Sequence, residues 1–214
     1  MSTFGIIGSG AVGQTLAAGL RAKGHQVRIG SRTPAKLREF TAKTGIENGT
    51  FASVAQWGEH LVLAVKGTAA DAALQETGPA NLRGKLVIDT TNPITDERPV
   101  DGVLHSFVGP NQSLMEMLQA SNPAAHFVKA FNSVGSDLMV DPDFGGVKPT
   151  MFYCGDDAGA KAVAAGVIAQ LGWEGADMGS ARAARAIEPL AVLWCIEAFR
   201  SDEWDNRAFH VLRR

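Results

Sequence analysis

Gly8-Ser9-Gly10-Ala11-Val12-Gly13, a complete G-x-G-x-x-G a few residues from Met1, constrains the fold of this chain more than any other feature. Three glycines at that spacing mean little alone; their surroundings give them force. The apolar, β-prone run 4–7 leads into Gly8, and residues 11–23 carry Val12, Leu16 and Leu20 at helical spacing. Gly24 stands where a helix commonly ends, and residues 26–29 read as the next strand. In such a strand, turn, helix and strand unit the first glycine permits the tight turn. The second lets a pyrophosphate approach the backbone, and the third lets helix and strand pack closely. The helix N-terminus adds free N–H groups and a positive dipole end. Gly8, Ser9, Gly10, Ala11, Val12 and Gly13 are therefore assigned to a dinucleotide.

The end of the second strand selects among dinucleotides. NAD sites usually place Asp or Glu there, bonded to the ribose 2′-OH. This chain instead has Gly30-Ser31-Arg32-Thr33, followed by Lys36. No carboxylate repels a 2′-phosphate. Arg32 can pair with the phosphate or stack on adenine, Ser31 and Thr33 can donate hydroxyl hydrogen bonds, and Lys36 adds a cation. The expected cofactor is NADP(H).

The alternation of strands and helices continues down the chain. A helix is expected over 34–43, a third strand over 49–52 and a fully apolar strand over 61–65, followed by a helix at 69–75 and a strand at 85–89. A loop rich in Pro, Asp and Gly occupies 90–110. A helix at 114–120, strands at 125–130 and 150–154, a helix at 158–171 and a strand at 173–176 follow. The last helix is expected over 181–199, with Pro189 as a candidate break. This pattern predicts an α/β fold, a Rossmann-type doubly wound and mainly parallel sheet with a short C-terminal helical extension. Residues 1–178 are assigned to the NADP(H)-binding domain. Residues 179–214 are assigned to a helix and tail packed on it, not an independent domain.

In an open α/β sheet, ligands sit beyond the carboxyl ends of the strands. Ala64, Val65 and Lys66 at the fourth strand are therefore added to the cofactor set. Lys66, Asn92, Phe131, Asn132 and Val134, at three strand ends, are the candidates to surround the nicotinamide; Lys66 and Asn92 are candidates to orient its carboxamide or the substrate. The five histidines, His25, His60, His105, His126 and His210, form no metal-ligand spacing, and no metal is expected. His105, in the long loop, is the best placed of them to act as an acid. Hydride chemistry of this kind leans on cofactor and acceptor more than on protein acids and bases.

Composition narrows the partners. With 214 residues, 45% of them hydrophobic, and a net charge of −2, nothing points to nucleic acid or an anionic membrane. Cys154 and Cys195 make no CxxC pair, no apolar stretch approaches membrane-spanning length, and no leader is evident at the start. The expectation is a cytoplasmic protein acting on a small-molecule acceptor. The last helix places Leu190, Leu193, Trp194 and Ile196 on more than one face, which points to burial, here against a second subunit, with packing inside one subunit as the alternative. Arg185 and Glu188, three apart, read first as a structural pair, with a place lining the acceptor cleft as the alternative, and Cys195 reads as a small buried hydrophobe.

Together, Gly8 to Gly13, Gly30-Ser31-Arg32, the run 89–93, Val128-Lys129-Ala130-Phe131-Asn132 and Glu188-Pro189-Leu190-Ala191 resemble the NADPH-dependent deazaflavin reductases, the family of coenzyme F420-dependent NADP oxidoreductases. The resemblance runs over nearly the whole chain. It implies NADP at the first motif, a nicotinamide near residues 131–134, and a homodimer whose C-terminal helices help cover the acceptor. It further implies hydride transfer between NADPH and a deazaflavin (coenzyme F420) or a flavin-like ring. Archaeal deazaflavin-using members carry His where this chain has Asn132. Two other readings stand beside this one: an NADPH-dependent reductase of another small substrate or a ferric chelate, and a non-catalytic NADPH-binding redox sensor.

Overall fold

The computed structural model describes residues 1–202, 204, 206–212 and 214. Its central strands follow the apolar runs. β1 (Thr3–Ile7) is buried at every position after the first, as a strand covered on both faces must be. α1 (Ala11–Ala22) turns Leu16, Ala17 and Leu20 onto the sheet. β2 (Gln26–Gly30) pairs with β1. A 3-10 turn at Pro34–Leu37 opens α2 (Arg38–Thr44), which ends at Gly45 in the left-handed conformation. The third strand, β3 (Glu47–Gly49), ends at Gly49, where the expected 49–52 strand begins, because α3 (Phe51–Trp57) starts at once. Thr50 fixes that start: its side chain accepts the Ser53 N–H at 3.2 Å, an N-cap. α3 is the one regular helix that the sequence does not announce between β3 and β4 (His60–Leu63).

Then come α4 (Ala70–Thr77), α5 (Pro79–Leu82), β5 (Leu86–Asp89), α6 (Leu114–Ser121) and β6 (His126–Lys129). β7 (Thr150–Tyr153), α7 (Ala158–Gln170), β8 (Glu174–Asp177) and α8 (Ala184–Ser201) close the chain. α8 is preceded by a 3-10 turn at Ala181–Ala183 and runs unbroken through Pro189. The proline forfeits one helical hydrogen bond. Buried residues on both sides of it, Ala184, Ile187 and Glu188 before and Ala191 and Ala198 after, hold the helix in one piece.

The first six strands form one parallel sheet in the order β3-β2-β1-β4-β5-β6. Its two faces bury separate cores. One packs Ile6, Ile29, Val62 and Val128 beneath α1 and α7; the other packs Ile7, Leu63, Val87 and Phe127 beneath α3, α4 and α6. β7 and β8 form a second, two-stranded parallel sheet, linked to β6 by an antiparallel bridge between Lys129 and Cys154. The long segment after β5 is less formless than its composition suggests. Bridges Ile94 to Ser106 and Val100 to Val103 fold it into an arm, and its tip presses Gly102 against the Ile196 carbonyl of α8.

Candidate functional site

Strand order reverses between β1 and β4, and the crevice of such a switch point opens beyond their carboxyl ends. A cleft of about 860 Å³ lies there. Gly8, Ser9, Gly10, Ala11 and Val12 form its floor; Ser31, Arg32, Thr33 and Lys36 form one end; Ala64, Val65, Lys66 and Asn92 line the other. Of the residues assigned to the cofactor from sequence, Gly13 alone lies behind the surface.

The glycines differ in what they do. Gly8 has φ 140°, and a Cβ there would sit 2.0 Å from the Ala64 carbonyl oxygen. A Cβ on Gly13 would sit 2.4 Å from the Gly8 carbonyl oxygen, so it is the close-packing position. A Cβ on Gly10 would meet no protein atom within 4 Å, because Gly10 faces the open cleft. The first intrahelical bond of α1 is Gln14 N–H to the Gly10 carbonyl at 3.0 Å. The N–H groups of Ala11, Val12 and Gly13 therefore precede the helical ladder, at its positive end.

The first two strand ends are tied together. Ser9 and Ser31 hydroxyls lie 3.2 Å apart, and Ser31 Oγ accepts the Thr33 N–H at 3.1 Å. Arg32, Thr33 and Lys36 project outward, and neither Arg32 nor Lys36 makes an ion pair among the described residues. At the opposite end Lys66 is engaged: its ammonium meets Asp96 of the arm at 2.6 Å, both side chains being exposed. A contact that the sequence did not announce closes the cleft wall nearby, where a Cβ on Gly67 would fall 1.8 Å from the Asn92 carbonyl oxygen.

Behind this wall lie Phe131, Asn132 and Val134, all buried. Asn92 Nδ2 donates to the Asn132 carbonyl at 2.8 Å, and Asn132 Nδ2 returns a bond to Asn92 Oδ1 at 3.0 Å. The same Asn132 amide donates to the Ile187 carbonyl of α8 at 3.0 Å. Asn132 Oδ1 is buried with no donor. Phe131 has φ 60°, a left-handed conformation costly for an aromatic residue, and its N–H points to Met151 Sδ at 3.1 Å.

Beneath the amide pair three of the segments that carry the family resemblance meet in a charge cluster, a pairing that no local spacing signals. Lys129 Nζ, fully buried, lies 2.7 Å from Asp89 Oδ2 and 2.9 Å from Glu188 Oε1, and donates to the Thr91 carbonyl at 2.7 Å. The Asp89 contact is a close ion pair short of a well-aligned hydrogen bond. Burial works against the ammonium, but Asp89 and then Glu188 more than offset it and hold its pKa above the ordinary lysine value. Glu188 also accepts the Leu114 and Met115 N–H groups at 2.9 and 3.0 Å, capping α6. The expected Arg185–Glu188 pair is therefore corrected. Arg185 makes a bidentate contact with Glu116 at 2.8 and 2.7 Å, and Glu188 turns inward to Lys129, because a fully buried ammonium needs compensating anions more than a half-buried guanidinium does.

Elsewhere the sequence signals settle into structural roles. His25 bonds Gln170 at 2.7 Å, and burial lowers the pKa of His60. His105 is exposed, with Glu97 at 3.8 Å. Cys195 is half-buried, less covered than expected, while burial pushes the fully buried Cys154 thiol up to about 12. Among the described residues no group of three His, Cys, Asp or Glu could hold a metal ion, and no helix is long and apolar enough to cross a membrane.

Comparison with known proteins agrees with this architecture. The family described as "NADP oxidoreductase coenzyme F420-dependent" matches residues 3–93. A solved structure from Arthrobacter sp. FB24, assigned as an F420-dependent NADP reductase, is 32% identical, with a TM-score of 0.91 and 100% of both chains covered. The metalloreductase STEAP3 of Rattus norvegicus is 30% identical over 88% of this chain, which spans only 36% of that protein. An imine reductase from Myxococcus stipitatus shares the fold at 17% identity, with a TM-score of 0.66 over 90% of this chain and 60% of its own. With a likeness running the full length of both chains to the Arthrobacter protein, and the segment that carries five of the six main-sheet strands matching the family itself, the chain belongs to the coenzyme F420-dependent NADP oxidoreductase family.

Proposed function

We propose that this chain binds NADP(H) in the cleft at the strand switch point and transfers hydride between it and a small planar acceptor of the flavin or deazaflavin class. One observation carries the reading. A glycine floor open at Gly10 faces the free N–H groups of α1, and at the adjoining end Arg32, Ser31, Thr33 and Lys36 offer cations and hydroxyls with no carboxylate from the second strand. The first feature fits a pyrophosphate and the second a 2′-phosphate. Bound there, NADPH supplies the hydride. Gly8 to Gly13 hold the pyrophosphate, Ala64 and Val65 support the far half, and Asn92 with Asn132 orients the reacting end.

The test pairs titration with turnover. NADPH is expected to bind at least about tenfold more tightly than NADH, and Arg32→Ala to cost about 1.5–3 kcal/mol of that preference, as loss of a charge-assisted hydrogen bond does. Equal affinity for both cofactors contradicts the reading. Stopped-flow oxidation of NADPH by coenzyme F420, by FMN and by a ferric chelate then assigns the acceptor. The chelate is included because the likeness to STEAP3 favours a second reading, reduction of chelated ferric iron. The reading also includes a homodimer, supported by exposed Leu193 and Phe199 on α8.

A further inference from the structure

The ends of β5 and β6 repeat one pattern. Asp89 and Lys129 are register partners, and each is followed three residues later by an asparagine of the amide pair, Asn92 and Asn132. The buried ion pair thus sits three residues before two bonded side chains, Asn92 in the cleft wall and Asn132 buried behind it. Both asparagines are also reached from Lys129 by bonded paths. Its Thr91 contact fixes the residue immediately before Asn92. Its Glu188 contact fixes the residue immediately after Ile187, whose carbonyl receives the Asn132 amide. Glu188 belongs to α8, 59 positions along the chain from Lys129, so nothing local ties these segments together.

We infer that Lys129, acting through Asp89 and Glu188, is a positioning residue for the reacting end of the cleft: it sets the buried Asn132 amide, which in turn holds Asn92 in the cleft wall. The inference rests on the reading above that hydride transfer occurs at this end. The cluster has two carboxylates against one ammonium. The excess negative charge is met by the α6 N–H groups on Glu188 and by the Thr91 N–H and hydroxyl on Asp89, at 2.9 and 2.7 Å. Every member is therefore held from several sides, which a set point for a catalytic end requires and a filler of the core does not.

Glu188→Gln is the informative substitution, because it leaves a neutral Lys129–Asp89 pair. It is expected to leave NADPH affinity within about threefold and to slow single-turnover hydride transfer to the acceptor identified above by about ten- to hundredfold, the size of effect that misplacing a reacting group produces. Combined with Asn132→Ala, it is expected to add no further loss, since both act through one amide. Transfer within about twofold of the unsubstituted rate, or two losses that multiply, overturns the inference. Should the unsubstituted protein transfer no hydride to any acceptor, the functional reading fails and the positioning claim is decided separately by NMR. In Glu188→Gln the Asn132 side-chain amide signals must then move; unmoved signals overturn it. Where Glu188→Gln does not fold, the neutral triple variant Asp89→Asn, Lys129→Met, Glu188→Gln takes its place, with the same measurements and the same outcomes supporting or overturning the inference.

Discussion

At Gly8 the cleft has no slack. Its φ of 140° lies where an L side chain is strained, and its neighbour across the turn is main chain, not a side chain that can rotate away. Gly8→Ala must therefore part the β1 turn from β4. It is expected to cost about 1–3 kcal/mol of stability and to abolish tight NADPH binding, checked by thermal denaturation and cofactor titration. Gly10→Ala, with open space around the new methyl, is expected to leave stability nearly unchanged while weakening NADPH. That contrast between two glycines of one motif separates a fold requirement from a ligand requirement. Cys154 offers a residue-scale test of burial. Its thiol is raised to about 12, chiefly by burial and against the opposite pull of the Lys129 ammonium. At pH 8 the thiolate is on the order of one part in ten thousand. Cys154 is expected to ignore a disulfide reagent in the native protein and to react once guanidinium unfolds it; native-state labelling at Cys154 by mass spectrometry would contradict the buried placement.

At the scale of elements, α8 is held to α6 twice: by Glu188 on the α6 N-terminus and by the Arg185–Glu116 pair. Glu116 also belongs to a capping box with Ser113. The Arg185 hydrogen bond holds the Glu116 carboxyl below its ordinary pKa of 4.5. A carboxylate depressed in the folded state contributes stability that is fully present above the unfolded pKa and lost as pH falls through the folded one. Arg185→Ala is thus expected to lower Tm at pH 7, with the difference from the unsubstituted protein closing on acidification below 4.5. An unchanged gap at low pH would assign the loss to packing alone. The same two helices show what a sequence can and cannot announce. β1, α1 and the phosphate turn were legible because their signals are local: an apolar run, a helical period, glycines at fixed offsets. The seven-residue α3 was not, since its start depends on one threonine cap beside a short strand. Nor was the Lys129 cluster. A lysine in a strand and a glutamate in a helix say nothing of each other until the fold brings them to 2.9 Å. The Arg185–Glu188 expectation failed for the same reason, because helical spacing counts neighbours on one helix and the stronger partners lay on others.

The whole molecule exposes 10534 Å², against roughly 9,500 Å² expected for a compact monomer of its mass. Several of the exposed large apolar side chains lie on or beside α8. Leu193, Phe199 and Trp204 are exposed on and just beyond α8, and Val100 and Val103 are exposed at the tip of the arm that rests on it. Phe199 and Trp204 meet edge to face with ring centroids 5.1 Å apart, so the two rings form one continuous aromatic surface. An apolar surface of this kind on a helix otherwise packed against the sheet is suited to an isologous contact, the same patch on each subunit. The homodimer proposed above therefore predicts a light-scattering mass of twice 22.5 kDa at micromolar concentration. Leu193→Glu, which places a carboxylate at the centre of that face, is expected to return the mass to 22.5 kDa without lowering Tm by more than about 2 °C, since the leucine is already 57% exposed in the single chain. Because α8 also carries Glu188 and the Ile187 carbonyl, a subunit contact on its outer face would steady the amide pair on its inner one. The Leu193→Glu monomer should then transfer hydride more slowly at unchanged NADPH affinity. A mass near 22.5 kDa for the unsubstituted chain would remove the dimer and with it this coupling, leaving the cleft chemistry to a single subunit.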